Sequence, residues 1–455
     1  MKPWILPSAL AVVLAATVTA GSLVALPELP LDATQESDSR ISVVCPAPDT
    51  ATAAVRVAAV AVGQNVRTSK VSTPAKVTES KKLVVVANPR GAVRVSAKRS
   101  QLFGATSISS APNGPSRGLA ASGCASPQAE HWFTGVDVSK TAQADLILVN
   151  LDASEAVVDL LAYGPGGRLN APRGVSVKGG SEQTVPLSVI ARNDHPITLK
   201  VTTSQGRVAA FVRQLSWNRT APYSSDWVPD GLKPATDVVL PGIPSGAGKR
   251  TLVVSNPGEL TAGVDINVLS SEGLSQLSDA QRIDVPPATT QTIELAPGLD
   301  AQAAGLRLTS NLPVTAAVMA ENGGSKATVD NTVAGYTPAL PPDAIWPISL
   351  GTKTSGQLQL VNPGQAAVAV TISVARNAGA ASDTKVTVPA ESSMVVNLPK
   401  ALTVVIRIRT DSTVLHGSVI ATASDGAVKG LAVLDLVADE SRGGSARISY
   451  DPHLS

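Results

Sequence analysis

From residue 40 onward, apolar and polar positions alternate with a period of two. Val264, Ile266 and Val268 are separated by Asp265 and Asn267, and similar runs recur along the chain. Alternation of this kind predicts half-buried β-strands, and the Val, Ile and Thr that fill the runs suit a pleated surface. Pro and Gly interrupt the chain at intervals too short for long helices. The pattern also repeats. "LILVNLDASEAVVDLLA" from Leu146, "LVVSNPGELTAGVDINV" from Leu252 and "LQLVNPGQAAVAVTISV" from Leu358 share one shape, and Asn150, Asn256 and Asn362 are spaced 106 residues apart.

Downstream features keep the same order. Small-residue turns leading into a strand begin at Val177, Val285 and Val388, and paired alternating runs begin at Leu199, Leu306 and Ile406. The period therefore belongs to a duplicated fold. In the second copy, strands are predicted near Val238, Leu252, Val264, Ile283, Ile293, Leu306 and Val314. Seven short strands in about a hundred residues predict an immunoglobulin-like sandwich. A β-propeller would need blades of about 40–50 residues, and two unlike blades per period. Asn-Pro-Gly in the second and third copies predicts a type II turn, with glycine supplying a positive φ.

The expected organisation is an N-terminal apolar segment (1–27), a linker (28–40), a divergent β domain (41–130) and three sandwiches (131–225, 226–338 and 339–455). "LVVVANPRGAVRVSAK" from Leu83 resembles the repeated phrase, but Asn88 lies only 62 residues before Asn150, so residues 41–130 are expected to depart from the repeat. At the N-terminus, Lys2 precedes an uncharged, largely apolar run from Pro3 to Leu26, and Glu28, Asp32, Glu36 and Asp38 follow. This predicts insertion with the remainder outside the cytoplasm, as a cleaved signal peptide or as a retained membrane anchor. In that compartment the two cysteines, Cys45 and Cys124, are expected to form a disulfide.

Composition narrows the chemistry. Hydrophobic residues make up 44% and aromatics 3%, so the core must be aliphatic. A net charge of +2 and dispersed basic residues, with Lys98 and Arg99 after Arg94 as the densest group, argue against nucleic acid. His131, His195, His416 and His453 show no metal-ligand spacing. "GPSRG" at Gly114–Gly118 matches a nucleophile pattern but lies in a Pro-containing loop, where Ser116 reads as a turn residue. "GIPSGAGKRT" from Gly242 lacks phosphate-loop spacing and has Arg250 in the Ser/Thr place, so no nucleotide is expected. "NRT" at Asn218 matches a glycosylation acceptor, a pattern short enough to occur by chance. No catalytic residue, metal or cofactor is expected.

Aromatics gather at the junctions between repeats: Trp217, Tyr223 and Trp227 at one, Tyr336 and Trp346 at the next. They are candidate binding residues for sugar rings or a partner's side chains, or wedges between adjacent sandwiches.

The "VVCPAP" element, the NPG units, the "DWVP…VVLPGIP" junction and the terminal "YDPHL" together resemble an uncharacterised family of secreted actinobacterial proteins, a domain of unknown function. The Ala/Val-rich, aromatic-poor composition suits such organisms. The resemblance implies a cell-envelope setting and no established activity. The expected role is a non-enzymatic scaffold for an envelope protein or cell-wall glycan; a carbohydrate-binding or glycan-assembly accessory is the alternative.

Overall fold

A computed structural model describes residues 40–438 apart from 49–52, 100–101, 191–195, 219–220, 278–279, 296–297, 300, 324–328, 352 and 426–427. The apolar segment 1–27, nearly all of the linker 28–40, His195, His453, most of the "NRT" element and "YDPHL" lie outside the described residues. Within them, every regular element is a β-strand except two single 3-10 turns, Gly114–Ser116 and Leu187–Val189.

The third repeat displays the common plan. One sheet runs Asp343–Ile348, Val404–Thr410, Val368–Arg376, Ala381–Val388, and the facing sheet runs Ser392–Asn397, Thr354–Asn362, His416–Asp425, Val428–Asp435. Ile372, Ile406 and Ile408 from the first sheet meet Leu358, Leu360 and Val419 from the second in one core. The first repeat follows the same order and builds its core around Phe133, Leu146, Leu148 and Leu199. These are two-sheet sandwiches, but their pairing differs from the immunoglobulin order, in which strands A, B, E and D share one sheet and C, F and G the other.

The second repeat adds two strands to the predicted list, Gly273–Gln276 and Asn331–Gly335, and merges two others. Leu306 and Val314 lie on one continuous strand, Ala304–Glu321, not on two. Its pairing with Ala262–Ser270 ends at Ser310, and its pairing with Arg250–Asn256 begins at Thr315. Pro313 falls in that gap, where the strand passes from one sheet to the other and a missing N–H costs no ladder bond. Asn311 uses the gap as well, accepting the Gly263 amide through its side chain at 2.8 Å.

The N-terminal unit is one six-stranded sheet: Arg40–Cys45, Val93–Lys98, Ala54–Lys70, Phe103–Ala111 and Gly118–Gly123, with Thr73–Ala87 also paired to Ala54–Lys70. It encloses a small core of Ile41, Val43, Val57, Val66, Val95 and Phe103. The expected disulfide is present: Cys45 and Cys124 are joined at 1.99 Å across 79 residues, tying the first strand to the segment after the last.

Candidate functional site

The aromatic junctions are not a shared platform. Trp227 is 4% exposed and packs edge-to-face on Phe211 at 6.3 Å, in a cluster with Val44, Ala92, Ala120 and Val149. It wedges the first repeat against the N-terminal unit. Trp346 is 3% exposed, packs in the core of the third repeat, and donates its indole N–H to the Val437 carbonyl at 3.2 Å. Tyr336 packs half-buried against the second core with its hydroxyl on the Asp237 carbonyl, 3.2 Å away. Trp217 and Tyr223 are half-buried on the strands Ala209–Asn218 and Ala221–Val228. Trp227 lies on the last strand of one unit and Trp346 on the first strand of another, so the Tyr-then-Trp recurrence joins positions that are not structurally equivalent.

The repeated asparagines do share one role. Asn150, Asn256 and Asn362 are at most 1% exposed. Each side-chain oxygen accepts the amide two residues on: Asp152 at 2.9 Å, Gly258 at 3.0 Å and Gly364 at 3.0 Å. Each side-chain N–H group donates to the carbonyl four residues on, from Ser154, Leu260 and Ala366. It also donates across the loop to Val177, Val285 or Val388. A neutral amide thereby satisfies three backbone groups in the first sandwich and, with the Pro286 and Pro389 carbonyls, four in the second and third. Gly258 and Gly364 are not among the positive-φ glycines, which overturns the expected type II turn. A Cβ on either would stand 3.1 Å from the asparagine oxygen, so glycine serves close approach there. Asn88, by contrast, is exposed, has φ +47°, and accepts only the Val55 amide, at 3.1 Å.

The most distinctive chemistry lies where the units meet. Each ends in a closing strand: Gly118–Gly123, Ala221–Val228, Asn331–Gly335 and Val428–Asp435. Each closing strand touches the next, and the last returns to the first, so the four units close a circuit. Buried carboxylates fasten it. Asp330 Oδ2 accepts the amides of Leu119 at 2.8 Å and Leu431 at 2.9 Å, while Oδ1 accepts the Ser224 hydroxyl at 2.6 Å and the Asn331 amide at 3.2 Å. One side chain thus bonds all four units. Asp226 Oδ1 accepts the Ala121 amide at 3.1 Å, Thr332 Oγ1 accepts the Val433 amide at 2.9 Å, and Asp435 Oδ2 accepts the Gly335 amide at 2.8 Å. Side chains from a neighbouring unit therefore satisfy amides on the outer edges of these strands, which is how their edges are covered.

Burial dominates the electrostatics. It pushes the Asp330 carboxyl up to about 7 against the opposing pull of Ser224 and the Leu119, Leu431 and Asn331 amides. It raises Asp435 to about 7, opposed by the Gly335 amide alone. Asp226 is raised well above the usual carboxylate range by burial, with Thr332 and the Trp227 and Ala121 amides pulling down and Asp330 adding to the rise.

The remaining motifs are structural. Ser116 accepts a hydrogen bond from Arg213 at 2.6 Å, linking the N-terminal unit to the first repeat. Arg250 is 3% exposed and donates to the carbonyls of Pro244, Ser245, Gly246, Lys249 and Glu321, so the glycine-rich loop wraps a cation of its own. His131 has both ring nitrogens engaged, by Asp230 at 2.6 Å and the Val208 carbonyl at 2.8 Å. Burial works to lower its pKa, but Asp230, the Val208 carbonyl and Glu130 together more than offset this. Burial lowers His416 to about 4. Among the described residues no cluster of three or more His, Cys, Asp or Glu is placed to hold a metal ion.

Openings among the described residues include two at or within the repeats. One of about 70 Å³ lies between the first and second repeats, lined by Gln214, Asp226, Lys249, Glu321 and Asn331. That is well below the ~300–1,000 Å³ of ordinary ligand sites. The other, about 420 Å³, opens between the sheets of the third repeat over Ile372, Val374, Val396 and Leu398, with Arg376 in its lining.

Comparison with known proteins gives a family without an activity. The profile of DUF5719, described as a family of unknown function, matches residues 75–399. No curated protein matches the chain. A solved structure, the crystal structure of Thermotoga maritima 1070, is similar at 19% identity and a TM-score of 0.19, covering 23% of this chain and 97% of that one.

Proposed function

We propose that this chain, which belongs to the DUF5719 family of unknown function, is a non-enzymatic scaffold of the cell envelope that presents sandwich surfaces to a protein or cell-wall partner. The observation that carries this reading is the closed circuit of four units, fastened by Asp226, Asp330 and Asp435. Such a junction commits its polar groups to holding units in fixed relation, leaving outer sheet faces and edges for contact. The Cys45–Cys124 disulfide supports an oxidising compartment, and the apolar run Pro3–Leu26 supports export or anchoring.

Burial of Trp227 and Trp346 weighs against the glycan-accessory alternative, which would use those rings as its contact. In-cell photo-crosslinking from outer-face positions, combined with fractionation, tests the proposal. The expected result is an envelope-associated chain crosslinked to a defined protein or wall component. A cytosolic chain with no crosslinked partner would overturn it.

A further inference from the structure

The near-neutral total charge conceals a segregation. Residues 40–125 contain twelve Lys and Arg against two acids, Asp49 and Glu79, a net of +10; residues 126–455 contain 24 against 29, a net of −5. These basic residues are scattered in sequence, but the sheet gathers several of them. Cross-strand neighbours share a face, and the register sets Lys81 opposite Asn65, Glu79 opposite Arg67, Arg67 opposite Ser96, Ser96 opposite Ser42, and Lys98 opposite Arg40. Two-residue alternation adds Arg94 to this row. One sheet face thus carries Arg40, Arg67, Lys81, Arg94 and Lys98 against Glu79, which is bonded to Arg67 and Asn65. The opposite face is the apolar core of Ile41, Val43, Val66, Val95 and Ala97.

The hairpin bordering this face adds exposed Lys70, Lys76 and Lys82. It also carries three of the large apolar side chains exposed to solvent, Val62 at 39%, Val77 at 51% and Val85 at 39%. Among the described residues its outer strand, Thr73–Ala87, pairs on one side only. Basic groups alone would suit any polyanion. Basic groups interleaved with exposed valines suit an interface with both charged headgroups and apolar depth.

We propose that this face docks on a bilayer surface rich in anionic phospholipid, holding the scaffold flat against the membrane. The inference rests on the envelope reading above and on where the chain enters the fold. Thirteen residues separate Leu26, at the end of the apolar run, from Arg40, which lies on the basic face itself. Their full reach of about 45 Å is the greatest separation that an anchored chain allows between Arg40 and the end of the apolar run.

The full chain reconstituted into nanodiscs of anionic or zwitterionic lipid, followed by hydrogen exchange, tests the proposal. Peptides covering residues 62–87 are expected to exchange more slowly on anionic discs only, and the difference should vanish in about 1 M salt, where the Debye length is ~3 Å. A K76E/K81E/K82E variant should retain its melting temperature and lose the docked state by roughly a hundred-fold. Equal exchange on both disc types would overturn docking while leaving the envelope reading intact. A chain that is not retained on either disc type would overturn docking together with membrane attachment. Protection conferred equally by soluble polyphosphate without a bilayer would overturn the lipid assignment.

Discussion

Two kinds of polar device hold this protein together, and they differ in charge, in place and in what they do. Inside each sandwich, a buried asparagine closes a loop with a neutral amide whose partners all belong to its own unit. Between the sandwiches, buried aspartates accept amides from other units. The asparagine does not titrate, and it recurs in each repeat because every unit must close the same loop. The aspartates titrate, and each makes its own set of contacts between units. What stabilises a unit is duplicated with it, whereas what assembles the units is particular to each contact.

The largest effect is expected where one side chain serves all four units. Asp330→Ala strips the Leu119 and Leu431 amides of their acceptor and is expected to destabilise by about 4–5 kcal/mol in denaturant unfolding, since each buried unpaired group costs ~1–3. A loss below about 1 kcal/mol would remove Asp330 from the centre of the assembly. Trp227→Ala, which empties the wedge between the N-terminal unit and the first repeat, is expected to cost about 3–4 kcal/mol. An unchanged melting temperature combined with weakened glycan binding would restore the sugar-platform reading.

On the other side of the comparison, Asn256→Ala removes hydrogen bonds to four backbone groups and is expected to cost about 2–3 kcal/mol. Asn88→Ala should cost under about 1 kcal/mol, because the side chain of exposed Asn88 accepts one amide, that of Val55. Equal losses at the two sites would mean that Asn88 performs the same closure.

One predicted effect has the opposite sign. Asp435 Oδ1 is buried with no hydrogen-bond partner among the described residues. With its folded pKa raised to about 7 from 3.8, the folded state holds its proton more tightly than the unfolded state does. Stability from this group is therefore fully present below pH ~4 and is lost as pH rises through about 7. Asp330 contributes in the same direction. Asp435→Asn removes the charge and should stabilise by about 1 kcal/mol at pH 8, flattening the slope between pH 5 and 8 in thermal unfolding. A variant less stable than the parent at pH 8 would show that the ionised carboxylate is the favoured form there.

The contrast also explains what was legible in the sequence. The 106-residue register of Asn150, Asn256 and Asn362 located the sandwiches, because loop closure repeats with the fold. The disulfide followed from a single cysteine pair. The junction was hidden for the opposite reason: in that register Ser224, Asp330 and Leu436 align, as do Asp226, Thr332 and Ala438, so no residue type recurs. The basic face was hidden because Arg40, Arg67, Lys81 and Lys98 are dispersed along the chain and are gathered only by strand pairing. The aromatic junctions misled because similar spelling fell on different strands, one closing a unit and one opening another.

The central claim is that the closing strands satisfy one another's edges. Amide hydrogen exchange at Leu119, Ala121, Leu431 and Val433 in the intact chain tests it most directly, since these amides donate to side chains of other units. The account predicts strong protection at all four, lost at Leu119 and Leu431 in Asp330→Ala. Exchange at these amides as fast as in an unstructured peptide would mean that the units do not close on one another.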